Sequence, residues 1–226
     1  MKSGMSQTGV VIVGAGSSQR MGQDKVFSSL AGKPLLAWSV DVCQSCELVN
    51  RIVIVLNENK LDLGRRLAVE RGWSKVAEVC SGGKRRQDSV RQGLSKLKGC
   101  EWVIVHDGAR PFLTLDLIRD GLAAAKGTGA AVAAVPVKDT VKIGDSDLMV
   151  RETPNRQELW AVQTPQVFRF DIIVKAHERI KGDVTDDASM VEQMGYKVKL
   201  YTGSYGNIKI TTAEDLALAE VIAGKK

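Results

Sequence analysis

Short apolar, β-branched runs recur along the chain, each stopped by glycine, proline or a polar turn, with amphipathic stretches between them. The first, residues 10–13 (VVIV), ends at Gly14, and residues 51–56 (RIVIVL), 75–79, 102–106 (WVIVH) and 130–135 repeat the pattern. Residues 197–201 and 207–210 read as late strands. Helical spacing is expected over 34–46, with Pro34 near the start, and over 60–71, 115–126, 171–181 and 213–223, with further helices opening near Asp88 and after residues 184–189. Thr211-Thr212-Ala213-Glu214 reads as a capping box for the last of them. Apolar strands alternating with helices predict an α/β fold, a Rossmann-like three-layer arrangement of a mostly parallel sheet with helices on both faces. The alternation breaks at residues 137–160, where β-branched residues flank the polar turn 144–147, and a protruding β-hairpin arm is expected instead. Two short strands are marginal in water alone, so the arm should pack on something, such as a second subunit. Without repeats or a long linker, residues 1–226 read as one domain with that arm.

Composition narrows the partners. The 226 residues are 44% hydrophobic and 26% charged, ordinary for a globular chain. No apolar run approaches the ~18 residues of a membrane span, and the first nine residues lack a signal peptide's basic start and apolar middle, so a cytoplasmic protein without a membrane partner is expected. A net charge of +6 suits polyanionic ligands. Only Lys84-Arg85-Arg86 and Lys225-Lys226 cluster, and 5% aromatic residues leave little on which to stack bases, which favours phosphorylated metabolites over nucleic acid. Cys43 and Cys46 share one helix face, and the only histidines are His106 and His177, so packing is favoured over a zinc site.

The candidate chemistry lies in three loops. After residues 10–13, Gly14, Ala15 and Gly16 can bring bare backbone N–H groups to an anion, and Arg20 and Lys25 add full charges. A dinucleotide fingerprint would need glycine at Gln19, and a Walker loop has no match here. Residues 81–89 (SGGKRRQDS) form a second glycine-basic loop opening a helix, with Gly83 and Ser89 placed for a polar ligand. Asp107-Gly108-Ala109-Arg110-Pro111 follows an apolar strand, where open α/β sheets place ligands; Asp107 could hold Mg²⁺ or a ribose hydroxyl and Arg110 a phosphate. Taken singly, each loop also has a plainer reading: a tight turn with solvated cations, a helix cap at Asp88 or Ser89, an Asp107–Arg110 ion pair. His106 reads as a strand-end residue satisfied locally. Lys209, alternating with Ile208 and Ile210, faces away from that apolar pair, toward either solvent or the site.

Gly14 to Gly22 with Lys25 resembles the A-G-x-G-x-R-M-G…K signature of the sugar-nucleotide pyrophosphorylase-like nucleotidyltransferases, with Ser18 where glycine is usual. The stretches GAGSSQRMG…K, GGKRRQDSV, VHDGARPF, PVKDTVK, LWAVQTPQ, VTDDAS and NIKITTAEDLALAE run in the order of the 2-C-methyl-D-erythritol 4-phosphate cytidylyltransferase family, over nearly the whole chain. That resemblance implies transfer of CMP from CTP to 2-C-methyl-D-erythritol 4-phosphate, with Mg²⁺, in non-mevalonate isoprenoid synthesis, by a homodimer with interlocking arms. It implies that Gly14, Ala15, Gly16, Gly83 and Ser89 hold CTP. Arg20, Lys25 and Lys209 become the catalytic cations. Asp107, Gly108, Arg110, Thr164 and Thr185 surround the phosphates and the sugar alcohol, while Thr140 and Arg156 reach a neighbour's substrate. Lys84 departs from relatives with an acid there. The rivals are a ribitol-5-phosphate cytidylyltransferase, against which HDGARP leans, and a non-catalytic nucleotide-binding regulator, against which the presence of Lys25 and Lys209 counts.

Overall fold

The computed structural model describes residues 7–16 and 25–224. A seven-stranded sheet forms its centre, in the order β11-β7-β10-β6-β1-β4-β5. These strands are β1 (Thr8–Val13), β4 (Arg51–Leu56), β5 (Val76–Ser81), β6 (Trp102–Asp107), β7 (Ala130–Pro136), β10 (Trp160–Arg169) and β11 (Lys199–Thr202). Two-residue strands β2 (Ser29–Leu30) and β3 (Lys33–Pro34) pair beside it, and β8 (Ile143–Gly144) pairs with β9 (Val150–Glu152) in the arm. All neighbours in the main sheet run parallel except at β10, which is antiparallel to both β6 and β7.

Period-two alternation divides the core between the sheet's faces. Val10, Ile12, Ile52, Ile54 and Ile104 pack under α1 (Leu35–Ser45), α2 (Leu61–Glu70) and α4 (Leu115–Ala125). Val11, Val53, Val55, Val103 and Val105 pack under α3 (Arg86–Ser95), α5 (Phe170–Arg179) and α6 (Asp187–Gln193). Because both faces are covered, the central strands show no polar alternation. The last helix, α7 (Ala213–Ala223), closes a smaller cluster with Leu30, Leu35 and Phe112. Cys43 and Cys46 are buried free thiols, as the packing reading requires.

One strand was missed and two expectations are corrected. The ten-residue β10 was not legible, because Pro165 and the polar residues Gln163, Thr164 and Gln166 interrupt its apolar pattern. Its ladder to β7 is irregular between Val162 and Gln166, and those polar side chains bond elsewhere: Thr164 Oγ1 accepts from Asp107 N at the end of β6, Gln163 Nε2 donates to Ser204 O and Gln166 Nε2 to Asp186 Oδ2. Residues 207–210 are not a strand; they are held by the Asn207 side chain and by two backbone bonds, from Asn207 N to Ser204 O at 3.0 Å and from Ile210 N to Ala109 O at 2.9 Å. The capping box of α7 lies one residue later than expected: Thr212 Oγ1 accepts from Asp215 N, and Asp215 Oδ2 accepts from the N–H groups of Thr212 and Thr211.

The expected hairpin is present, and it exposes apolar side chains among charged ones. Ile143, Leu148, Met149 and Val150 all face solvent in the single chain. Its root is firmer, with Val137 N donating to Leu159 O at 3.0 Å and Arg156 Nη1 donating to Lys138 O at 2.8 Å.

Candidate active site

The chain runs from β1 outward to β4 and β5, then returns to place β6 on the other side of β1. The crevice at the carboxyl ends of β1 and β6 is therefore a topological switch point, where open α/β sheets bind ligands. Val13 and Asp107 end their strands in direct register there. Gly14 N donates to Val55 O at 2.7 Å and Gly108 N to Val13 O at 2.8 Å, so both loops leave the sheet tightly held.

Two cavities share this end of the sheet. The larger, about 580 Å³, is lined by the 14–16 loop, Lys25, Gly83 to Arg86, Ser89, Asp107 and Lys209. The smaller, about 220 Å³, is lined by Arg110, Thr164, Thr185 and Asp186 together with Arg86, Asp107 and Lys209. Arg86, Asp107 and Lys209 thus stand between the two. A Cβ at Gly83 would lie 2.4 Å from Asp88 Cβ, so the fold of the second glycine loop excludes a side chain there. A Cβ at Gly16 would meet nothing within 4 Å among the described residues.

Asp107 is the electrostatic centre. Its carboxylate meets Lys209 Nζ at 2.8 Å, Arg86 Nε at 3.1 Å and Arg110 Nε at 4.0 Å. Burial alone would raise its pKa, but these cations outweigh burial and hold it well below the usual carboxylate range. Arg86 is fixed from behind by Asp187, at 2.6 Å, whose other oxygen meets His177 Nε2 at 3.1 Å. Asp107 N donates to Thr164 Oγ1 at 3.0 Å, and that hydroxyl lies 3.1 Å from His106 Nδ1. His106 Nε2 is 3.0 Å from Arg110 O, an acceptor, so Nε2 carries the ring proton and Nδ1 accepts from Thr164. Burial pushes the pKa of His106 down to about 4, which keeps the ring neutral. His106 is a structural strut, as expected.

The structure therefore gathers Gly14, Ala15, Gly16, Lys25, Gly83, Ser89, Asp107, Arg110, Thr164, Thr185 and Lys209 around one double cavity. Lys209 points into the site. Gly108 lines neither cavity; a Cβ there would come within 3.2 Å of Val13 O, so its glycine serves close packing of β6 on β1. Thr140 and Arg156 lie on the exposed arm and line neither cavity of their own chain. Arg20 falls outside the described residues. Arg86 and Asp187 were missed as site residues: the sequence displayed Arg86 as one of three clustered cations, and nothing local marked it as the one that turns inward.

A profile of the 2-C-methyl-D-erythritol 4-phosphate cytidylyltransferase family matches residues 8–225. The chain belongs to that family. Among curated cytidylyltransferases of this name, that of Dehalococcoides mccartyi strain CBDB1 is 50% identical over 220 residues, 97% of both chains. That of Alkaliphilus oremlandii strain OhILAs is 43% identical over 225 residues, 96% of this chain and 95% of its own. The fold is similar to the crystal structure of 4-diphosphocytidyl-2C-methyl-D-erythritol synthase from Anaerococcus prevotii DSM 20548, with a TM-score of 0.85, 30% identity and coverage of 96% and 98% of the two chains. It is also similar to the cytidylyltransferase of Thermus thermophilus, with a TM-score of 0.78, 30% identity and coverage of 95% and 98%. No helix among the described residues is long and apolar enough to cross a membrane.

For a divalent metal, this cytidylyltransferase offers a sparse set of protein ligands. No group of three His, Cys, Asp or Glu side chains converges among the described residues, and Asp107 is the one carboxylate among them that lines the larger cavity. A single carboxylate that stays ionised suits Mg²⁺ held mostly through a substrate's phosphates, since this ion favours such oxygen ligands over an all-protein cage.

Proposed function

We infer that the two cavities are the donor and acceptor halves of one active site. In it this cytidylyltransferase transfers CMP from CTP to 2-C-methyl-D-erythritol 4-phosphate, releasing pyrophosphate and giving 4-diphosphocytidyl-2-C-methyl-D-erythritol. The observation that supports this reading is the shared wall of Arg86, Asp107 and Lys209, whose two cations would face a phosphorylated ligand in either cavity.

The chemistry asks little of acid–base groups. A phosphate oxygen of the acceptor is already an anion and attacks the α-phosphorus of CTP; the bond to the departing pyrophosphate breaks as the new P–O bond forms. Positioning and charge neutralisation are then the main requirements. Gly14 to Gly16 and Gly83 offer backbone to the nucleotide, Lys25 faces the donor cavity, and Lys209 faces both. Arg110 and Thr185 hold the acceptor, and Arg20, outside the described residues, is the further cation that the family signature assigns to the donor side. Bound Mg²⁺ would neutralise charge on the CTP phosphates, with Asp107 as its protein ligand.

The exposed apolar arm supports a homodimer in which Thr140 and Arg156 complete the neighbour's acceptor site. A cytoplasmic location suits substrates of this kind. Phosphorus NMR of CTP mixed with each acceptor tests the reaction. A new diphosphate diester with 2-C-methyl-D-erythritol 4-phosphate and none with ribitol 5-phosphate is expected; the reverse would reassign the acceptor, and no product with either would leave a nucleotide-binding regulator.

A further inference from the structure

The loop that presents Thr185 to the smaller cavity, residues 181–186, has no helix or strand of its own and is suspended between α5 and α6. Two glutamine amides hold it from opposite sides. From α3, Gln87 Nε2 donates to Gly182 O at 2.9 Å while its Oε1 accepts from Val184 N at 3.3 Å. From β10, Gln166 Nε2 donates to Asp186 Oδ2 at 2.7 Å while its Oε1 accepts from Ala188 N at 3.2 Å. Arg85 adds a third tie, donating to Lys181 O at 3.1 Å and to Asp183 Oδ1 at 2.9 Å. Thr185 sits between the residues so held.

Gln87 stands out because it lines neither cavity and yet belongs to the helix start that borders the donor cavity: Arg85, Arg86 and Ser89 around it do line that cavity. Gln87 is 7% exposed, so the amide has largely exchanged water for those two backbone groups. With one donor bond and one acceptor bond to a single irregular segment, it fixes both the distance and the tilt of that segment relative to α3. A side chain of equal length without the amide would leave Gly182 O and Val184 N without their partner and the loop free to choose other conformations.

We propose that Gln87 is a positioning residue for acceptor binding: it ties the Thr185 loop to the start of α3, so that the acceptor half of the site is set by the helix that frames the donor half. The proposal rests on reading the smaller cavity as the acceptor site. Its test is a set of Michaelis constants for Gln87→Met, Thr185→Val and the double variant, measured for each substrate separately. Gln87→Met should raise KM for 2-C-methyl-D-erythritol 4-phosphate roughly 5- to 30-fold, the scale of a lost buried hydrogen-bond pair, with kcat and KM for CTP changed less than about twofold. If Gln87 acts through Thr185, the double variant should be no worse than the worse single one. Gln87→Glu is the companion variant that preserves shape: it should raise the same KM, and the defect relative to wild type should shrink as pH falls and the carboxyl becomes a donor again. An unchanged acceptor KM in Gln87→Met, or effects that multiply in the double variant, would overturn the positioning role. An unchanged acceptor KM in Thr185→Val would instead overturn the acceptor reading of the cavity, and with it this proposal.

Discussion

Lys209 Nζ lies 2.8 Å from Asp107 Oδ2, although the two residues are far apart along the chain. Asn207 makes the meeting possible: it is fully buried, its Nδ2 donates to Thr164 O at 2.8 Å, and its own carbonyl accepts from Arg110 Nη1 at 2.7 Å. Lys209 is then delivered to the wall between the cavities with its side chain 40% exposed. Lys209→Ala should lower kcat at least ~10²-fold at saturating substrates, the usual cost of one preorganised transition-state donor, while thermal unfolding stays close to wild type. Steady-state pyrophosphate release with a melting curve on the same samples checks both halves.

Arg86 joins Asp107 to Asp187, and the Asp187 side chain is 1% exposed. Arg86→Met leaves a buried carboxylate with His177 as its remaining ion-pair partner among the described residues, so a loss of about 3–5 kcal/mol is expected in urea denaturation. Adding Asp187→Leu should recover part of that loss. If Arg86→Met unfolds like wild type, the pair contributes no net stability.

The protonation of His106 gives a pH signature. Its folded pKa of about 4 lies below the value near 6.5 of an exposed imidazole, so the unfolded chain takes up a proton first as pH falls. The stability this confers is complete above about pH 6.5 and is lost as pH falls through about 4, whereas the contribution of Asp107, whose pKa is also depressed, is lost only below about pH 3.8. The stability difference between wild type and His106→Gln should therefore shrink by up to about 3 kcal/mol between pH 6.5 and 4. A difference independent of pH would show that the ring is not held neutral.

The strands that form the switch point were legible because burial on both faces makes their middles apolar, and the glycines just after them announced the loops. What escaped was structure built from polar side chains. β10 is disguised by Pro165 and by glutamines whose partners lie far away in sequence, and the segment around Lys209 looked like a strand because Ile208 and Ile210 alternate with it. Arg86 was visible as a charge, but its inward turn depends on Asp187, about a hundred residues later. Hydrophobic patterning reports which face is buried; it does not report which polar group a buried side chain will find.

Thr140 and Arg156 line neither cavity of their own chain, and if the arm completes a neighbour's site, as proposed above, lesions in different chains should complement. Lys25→Ala and Arg156→Ala should each lower turnover about 10²-fold, yet a co-refolded mixture should regain activity, because a mixed dimer collects both lesions in one site and leaves the other intact. Random pairing makes about half the dimers mixed, so about a quarter of all sites should recover. No recovery in a preparation shown to contain mixed dimers would mean that each arm serves its own chain.

The central claim is that the two cavities bind different substrates and meet at one wall. Lys25 lines only the larger cavity and Thr185 only the smaller, so the paired Michaelis constants of two single variants test it directly. Lys25→Ala should raise KM for CTP, beyond any fall in kcat, and leave KM for 2-C-methyl-D-erythritol 4-phosphate unchanged; Thr185→Val should do the opposite. Both variants raising the same constant, or each raising both equally, would contradict the division of the site into donor and acceptor halves.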